Sequence, residues 1–140
     1  MYIISKCLLG YNCKYSGGNN KNDNVLEFSK NNEYIALCPE EIGGLKSPRP
    51  PAEIVGDRVI NNEGKDVTYE FHKGAELSLK EAVESGKKIE GAILKANSPS
   101  CGVGTVYDGT FNHVKVKGDG IFAQKLRSMG IDLKTEEDFK

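Results

Sequence analysis

Three short apolar runs each hand a cysteine to the point where the run gives out. Tyr2 to Leu9 carries Cys7 near its end, Tyr34-Ile-Ala-Leu leads into Cys38 and then Pro39, and Gly91-Ala-Ile-Leu-Lys-Ala96 is followed by Asn97-Ser-Pro-Ser-Cys101-Gly. Short apolar runs closed by Gly, Pro or Asn read as strands. Strands of this kind, separated by helical patterns, constrain the chain more than any other feature.

The helical patterns lie between the runs. Asn24 with Glu27 matches a capping box ahead of Val25, Leu26 and Phe28, and Asn31-Asn32 ends that helix. From Thr68 to Ser85 the residues Phe71, Ala75, Leu79, Ala82 and Val83 recur at three- and four-residue intervals, with Gly86 placed as the C-cap. A last helix is expected from Ile121 to Met129, presenting Phe122, Leu126 and Met129 on one face and stopped by Gly130, with a tail strand at Ile131 to Leu133. Tyr11 to Asp23 reads as a polar loop and Gly43 to Pro51 as an ordered, irregular one. A small hairpin is expected around Arg58-Val-Ile60, turning at Asn61 to Gly64.

Alternating strands and helices over 140 residues predict an α/β fold: a single three-layer Rossmann-like domain, 1–140, with a largely parallel sheet. Right-handed crossovers point the three main strands the same way and bring their carboxyl ends to one edge.

A net charge of −1 with 28% charged residues supplies no basic field for a nucleic-acid backbone, so no nucleic-acid partner is expected. No apolar run approaches the roughly 20 residues that span a bilayer, so no membrane association is expected. The N-terminus lacks a basic lead and reads as a strand, which gives a cytoplasmic expectation. Four cysteines in such a chain argue for metal or thiol chemistry over a disulfide framework. There is no Cys-x-x-Cys, and His72 and His113 stand apart from every cysteine.

Ligands of open α/β sheets bind beyond the carboxyl ends of the strands, where Cys7, Cys38 and Cys101 fall. Three soft ligands suit zinc, copper(I) or an iron–sulfur cluster. One cysteine at the end of a buried strand is often only a small hydrophobe; three at equivalent ends call for another explanation. Cys13, six residues past Cys7 in a polar loop, reads as a fourth ligand, a resolving thiol or a bystander. Glu40, close to Cys38, is the better general acid or base of the pair Glu40-Glu41. Ser98 and Ser100 bracket Pro99 as substrate or turn hydroxyls, and Arg49, between two prolines, is a planar donor fork suited to substrate contact. His72 and His113 read as surface or structural residues.

Cys7-Leu-Leu-Gly10 with Cys13-Lys-Tyr15 and Gly17, then Cys38-Pro-Glu40 with Gly43-Gly44-Leu45 and Pro48-Arg-Pro-Pro51-Ala-Glu53, then Ser98-Pro-Ser-Cys101-Gly102, resemble the 2-thiouracil desulfidase family, formerly a bacterial domain of unknown function. Tyr107-Asp-Gly-Thr-Phe111 and Gly118-Asp-Gly120 extend the likeness over nearly the whole chain. The resemblance implies a [4Fe–4S] cluster on Cys7, Cys38 and Cys101 with one iron left open, which takes sulfur from a thiolated pyrimidine as hydrosulfide without net redox chemistry. In air such a site is liable to lose its cluster and to persist as free thiols, a disulfide or a zinc site. Lys14 and Ser16 depart from the arginine and aspartate of the family pattern.

The expected function is desulfidation of a small thiolated heterocycle such as 2-thiouracil. Glu40 and Ser100 are the catalytic candidates, and Ser98 and Arg49 the substrate contacts. The alternatives are a non-catalytic metal-binding protein and a cysteine-based sulfur carrier.

Overall fold

The computed structural model describes residues 1–139. In chain order they form β1 (Tyr2–Ser5), a 3-10 turn (Lys6–Leu9), α1 (Asp23–Lys30), β2 (Tyr34–Leu37), α2 (Pro39–Ile42), β3 (Ala52–Val55), β4 (Arg58–Asn61), α3 (Thr68–Glu84), β5 (Gly91–Leu94), β6 (Thr105–Tyr107), β7 (Lys115–Lys117), α4 (Ile121–Ser128), β8 (Leu133–Thr135) and a closing 3-10 turn (Glu136–Asp138). The central sheet runs β2-β1-β5-β8, and every pair in it is parallel. Two antiparallel hairpins, β3-β4 and β6-β7, stand apart from it.

Strand periodicity separates the two faces of the sheet. Ile3, Leu37, Ala92 and Leu94 pack with Phe71, Ala75 and Ala82 of α3 and Phe122, Ala123 and Leu126 of α4. Ile4 and Ile93 point the other way, onto Leu8, Val25 and Phe28. Helices therefore cover both faces of the parallel sheet, as the alternation of elements predicts. Among the described residues, no helix is long and apolar enough to cross a membrane.

Several boundaries differ from the sequence reading. The first run leaves the sheet at Ser5, so Cys7 lies in the 3-10 turn that follows. Asn22, not Asn24, caps α1: its side chain accepts from the backbone N–H of Asn24 and Val25 at 3.0 Å each. The hairpin turns at Gly56 and Asp57, because Ala52 to Val55 supplies its first strand, and the bend after Asn61 lies beyond it. Val83 and Met129, expected on buried faces, are 53% and 52% exposed. The tail strand begins at Leu133, where it pairs with Ala92.

Two glycine contacts fix the elements that carry the site. A Cβ on Gly74 of α3 would lie 1.9 Å from the Pro39 carbonyl oxygen, and one on Gly43 would lie 2.1 Å from that of Glu70. Backbone thus lies directly on backbone between α2 and α3, which seats Cys38 and Glu40. The turn after β5 is held in the same way. Ile121 N–H donates to Pro99 O at 2.9 Å and Phe122 N–H to Ser100 O at 2.8 Å, and a Cβ on Gly120 would meet Ser100 O at 2.6 Å. The first N–H groups of α4 are satisfied by the Cys101 turn itself.

Candidate active site

Because the four central strands are parallel, their carboxyl ends share one edge, and a cavity of about 480 Å³ opens beside it. Small-molecule sites occupy this size range. Cys7 enters from the turn after β1, Cys38 from the junction of β2 and α2, and Cys101 from the turn after β5. Glu40, Arg49, Ser98 and Ser100 also line the cavity, so every residue nominated from the sequence reaches it.

The four thiols are free. Cys13, treated as one of several possibilities in the sequence, is only 3% exposed, and its carbonyl accepts a weak contact from Cys38 Sγ at 3.7 Å. The sulfurs of Cys13 and Cys38 and a Glu41 carboxylate oxygen lie within 4.8 Å of one another. These contacts divide the thiols electrostatically. The hydrogen bond from Cys13 is the largest influence on Cys7, lowering it to about 7 against the cost of burial, with help from Asn20 Nδ2 at 3.4 Å. The same thiol lowers Cys38, with the backbone N–H of Glu41 assisting. Cys13 itself is pushed up, by Cys38 first and then Cys7. Burial pushes Cys101 up to about 12, opposed by hydroxyl hydrogen bonds from Ser5 and Ser100. A set of convergent sulfurs, two of them inclined to be thiolate, fits the soft ligation an iron–sulfur cluster requires.

A polar chain runs beside the sulfurs. Ser100 Oγ lies 3.1 Å from Glu40 Oε2, 3.1 Å from Ser98 Oγ and 3.6 Å from Cys101 Sγ. Ser98 Oγ accepts the backbone N–H groups of Ser100 at 3.1 Å and Cys101 at 3.0 Å, which fixes the turn. On the far side of Glu40, Arg49 Nε donates to Oε1 at 3.2 Å, with side chains 8% and 16% exposed respectively. Arg49 Nη1 donates to Leu45 O and Ser47 Oγ, and Nη2 to Cys13 O. Arg49 therefore orients Glu40 and anchors the Cys13 loop.

Three aromatic residues not nominated for the site from the sequence also reach it. Tyr107, Phe111 and His113 line the cavity, with the Tyr107 and His113 rings edge-to-face at 6.2 Å. Glu53 Oε1 accepts the N–H of Gly109 at 3.0 Å and of Phe111 at 3.2 Å, tying this aromatic loop to β3. The Glu53 contacts span fifty residues and more, which no local pattern reports. Lys95 also reaches the cavity, its ammonium held by Glu136 Oε2 at 3.0 Å.

A parallel α/β fold with a small-molecule cavity at its carboxyl edge, lined by thiols and a hydrogen-bonded carboxylate–hydroxyl pair, has the form of an enzyme of the sulfur-handling kind. The sequence profile of the 2-thiouracil desulfurase family matches residues 2–138, and the chain belongs to that family of enzymes. It is 34% identical over 148 residues to YbbK, an uncharacterized protein of Bacillus subtilis (strain 168), covering 99% of this chain and 97% of that one. Its fold superimposes on the solved structure of TudS, a [4Fe-4S]-dependent thiouracil desulfidase, with a TM-score of 0.89 and 40% identity, covering 98% of this chain and 91% of that one.

Proposed function

We propose that the protein is a [4Fe–4S]-dependent desulfidase that converts a thiolated pyrimidine of the 2-thiouracil type to the oxo base, with Cys7, Cys38 and Cys101 as the cluster ligands. The observation that carries this reading is the meeting of the three strand-end thiols with the Glu40–Ser100 pair in one cavity. When bound on three thiols, such a cluster leaves one iron free to act as a Lewis acid toward the sulfur of the C=S group.

The protein's own residues supply the rest. Glu40, held on one oxygen by Arg49, has Oε2 directed at Ser100 and can take a proton from the attacking water there. Ser100 stands between that carboxylate and Cys101 and passes a hydrogen bond along the line of attack, while Ser98 fixes its position. Water adds at the thiocarbonyl carbon, the carbon–sulfur bond breaks and sulfur departs as hydrosulfide. The carbon exchanges sulfur for oxygen at the same oxidation level, so no external electron donor or acceptor is needed. Tyr107 and Phe111 offer aromatic surface to a planar base.

The test is anaerobic reconstitution with iron and sulfide followed by incubation with 2-thiouracil. Uracil and sulfide released in equal amounts by the iron-loaded enzyme are expected. An iron-loaded protein that releases neither would remove the substrate assignment, and a protein that takes only zinc would remove the cluster.

A further inference from the structure

Two of the nominated ligands carry a side-chain hydrogen-bond donor on the sulfur itself. That on Cys101 is Ser100 Oγ at 3.6 Å, a residue the proposed chemistry already employs. That on Cys7 is Asn20 Nδ2 at 3.4 Å, to which the proposed chemistry gives no task.

The Asn20 contact is built from the backbone outward. Asn20 N–H donates to Cys7 O at 3.0 Å and Asn22 N–H to Leu8 O at 2.9 Å, so the end of the polar loop lies along the 3-10 turn. Asn22 caps α1, and Leu8 is fully buried, so both strands of this contact are anchored. Residue 20 therefore grips residue 7 twice, once through the main chain and once through its amide. Asn20 also lines the cavity, which places that amide where the Cys7 sulfur meets the space a substrate enters. The neighbouring Asn19 serves the loop alone: it donates to Asn12 Oδ1 at 3.0 Å and accepts from Lys21 N–H at 2.9 Å.

We propose that Asn20 is a positioning residue whose side-chain amide holds the Cys7 thiolate in the iron-loaded enzyme and protects the cluster from oxidative loss. This rests on the cluster-dependent reading above. Hydrogen bonds to ligand sulfur set the potential of an iron–sulfur cluster. A neutral N–H draws charge from the thiolate, so it favours the cluster that holds one more electron and opposes removal of that electron. Oxidative loss begins when one electron passes from the cluster to dioxygen, which becomes superoxide. Desulfidation exchanges sulfur for oxygen at constant oxidation level, so the enzyme gains nothing from a cluster that gives up electrons. A donor that raises the potential therefore guards an open, three-thiolate site without entering the reaction.

The experiment uses the anaerobically reconstituted full chain, unaltered and as Asn20→Ala, Asn20→Asp and Asn19→Ala. Titration with dithionite, followed by the paramagnetic spectrum of the reduced cluster, gives the potential; decay of visible absorption in air-saturated buffer gives the rate of cluster loss. Asn20→Ala removes the donor and keeps the main-chain contact. It is expected to move the equilibrium about tenfold toward the oxidised cluster, which is about 59 mV for a one-electron couple, and to hasten loss in air. Asn20→Asp replaces the donor by a negative charge and should move the potential further in the same direction. Asn19→Ala disturbs the same loop without touching the sulfur and should match the unaltered protein. Equal potentials in all of these proteins would overturn the proposal while leaving the cluster reading in place. A fall in Asn19→Ala as large as in Asn20→Ala would replace it with a simple effect of loop order. The unaltered enzyme, labelled with heavy nitrogen at its asparagine side chains, gives a second readout that needs no Asn20 variant to hold iron. A nitrogen coupling in the pulsed paramagnetic spectrum is expected, and its absence would also refute the contact. Failure of the unaltered protein to take up iron would remove the cluster reading and this inference together.

Discussion

Ser100 Oγ and Glu40 Oε2 stand 3.1 Å apart although sixty residues separate them in the chain. The contact exists because α2 is seated on α3 by glycines and the Cys101 turn is seated on α4. Under the proposed chemistry Glu40 is the proton acceptor for water. Glu40→Gln keeps the shape and removes the base, so turnover should fall about 10²–10⁴-fold with iron content unchanged. Rapid-quench measurement of uracil formation checks this; loss of iron in the variant would point instead to a structural role.

Arg49→Ala leaves the Glu40 carboxylate in a largely buried setting without its partner. Breaking a buried pair on one side costs about 3–5 kcal/mol, and the lower end applies here because Glu40 retains the Ser100 hydroxyl. Urea unfolding of the metal-free protein should show that loss. The Cys13 loop should also become more susceptible to proteolysis, since Arg49 Nη2 holds its carbonyl.

In the metal-free protein the thiols should react in a set order. Cys7, lowered from 9.0 to about 7, is largely thiolate at pH 8, whereas Cys101 is pushed up to about 12. Iodoacetamide at pH 8 followed by mass spectrometry should find Cys7 modified and Cys101 spared. The same shifts govern stability. The stabilising contribution of Cys7 is fully present above pH 9 and is lost as pH falls through about 7. Cys101 acts in the opposite sense: its folded-state thiol resists ionisation, so stability declines as pH rises above 9. Urea midpoints should therefore rise from pH 7 to 9 and fall beyond it.

Gly74→Ala places a methyl 1.9 Å from a backbone oxygen that cannot rotate away. Overpacking of this kind typically costs about 1–3 kcal/mol, and relief requires α2 to move and take Cys38 and Glu40 with it. Thermal unfolding should shift down and iron uptake should weaken together. Leu77→Ala, at an exposed position on the same helix, is the control and should change neither.

Glu53 was absent from the sequence-derived site, yet it holds the aromatic wall through Gly109 and Phe111. Glu53→Ala should loosen that wall and raise the KM for 2-thiouracil more than it lowers kcat. Steady-state kinetics on iron-loaded enzyme separate the two effects.

The strand ends were legible because apolar runs, Gly and Pro mark them within a few residues, and a parallel sheet turns separate strand ends into one edge. On that basis Cys7, Cys38 and Cys101 were expected at one edge, and all three line the cavity there. Cys13 could not be placed, since its position depends on an Arg49 contact thirty-six residues away and on no periodic pattern. β6 and β7 were missed because three-residue strands, one of them the exposed Lys115–Lys117, carry too little alternation to register. Val83 and Met129 satisfied helical spacing, but both fall outside the width of the face that α3 and α4 bury.

The most direct test of the central claim is uracil released from 2-thiouracil per chain, measured anaerobically across a series of preparations with graded iron loading. Release that rises in proportion to intact cluster and vanishes in the zinc-loaded protein is predicted. Release that persists without iron would contradict the account.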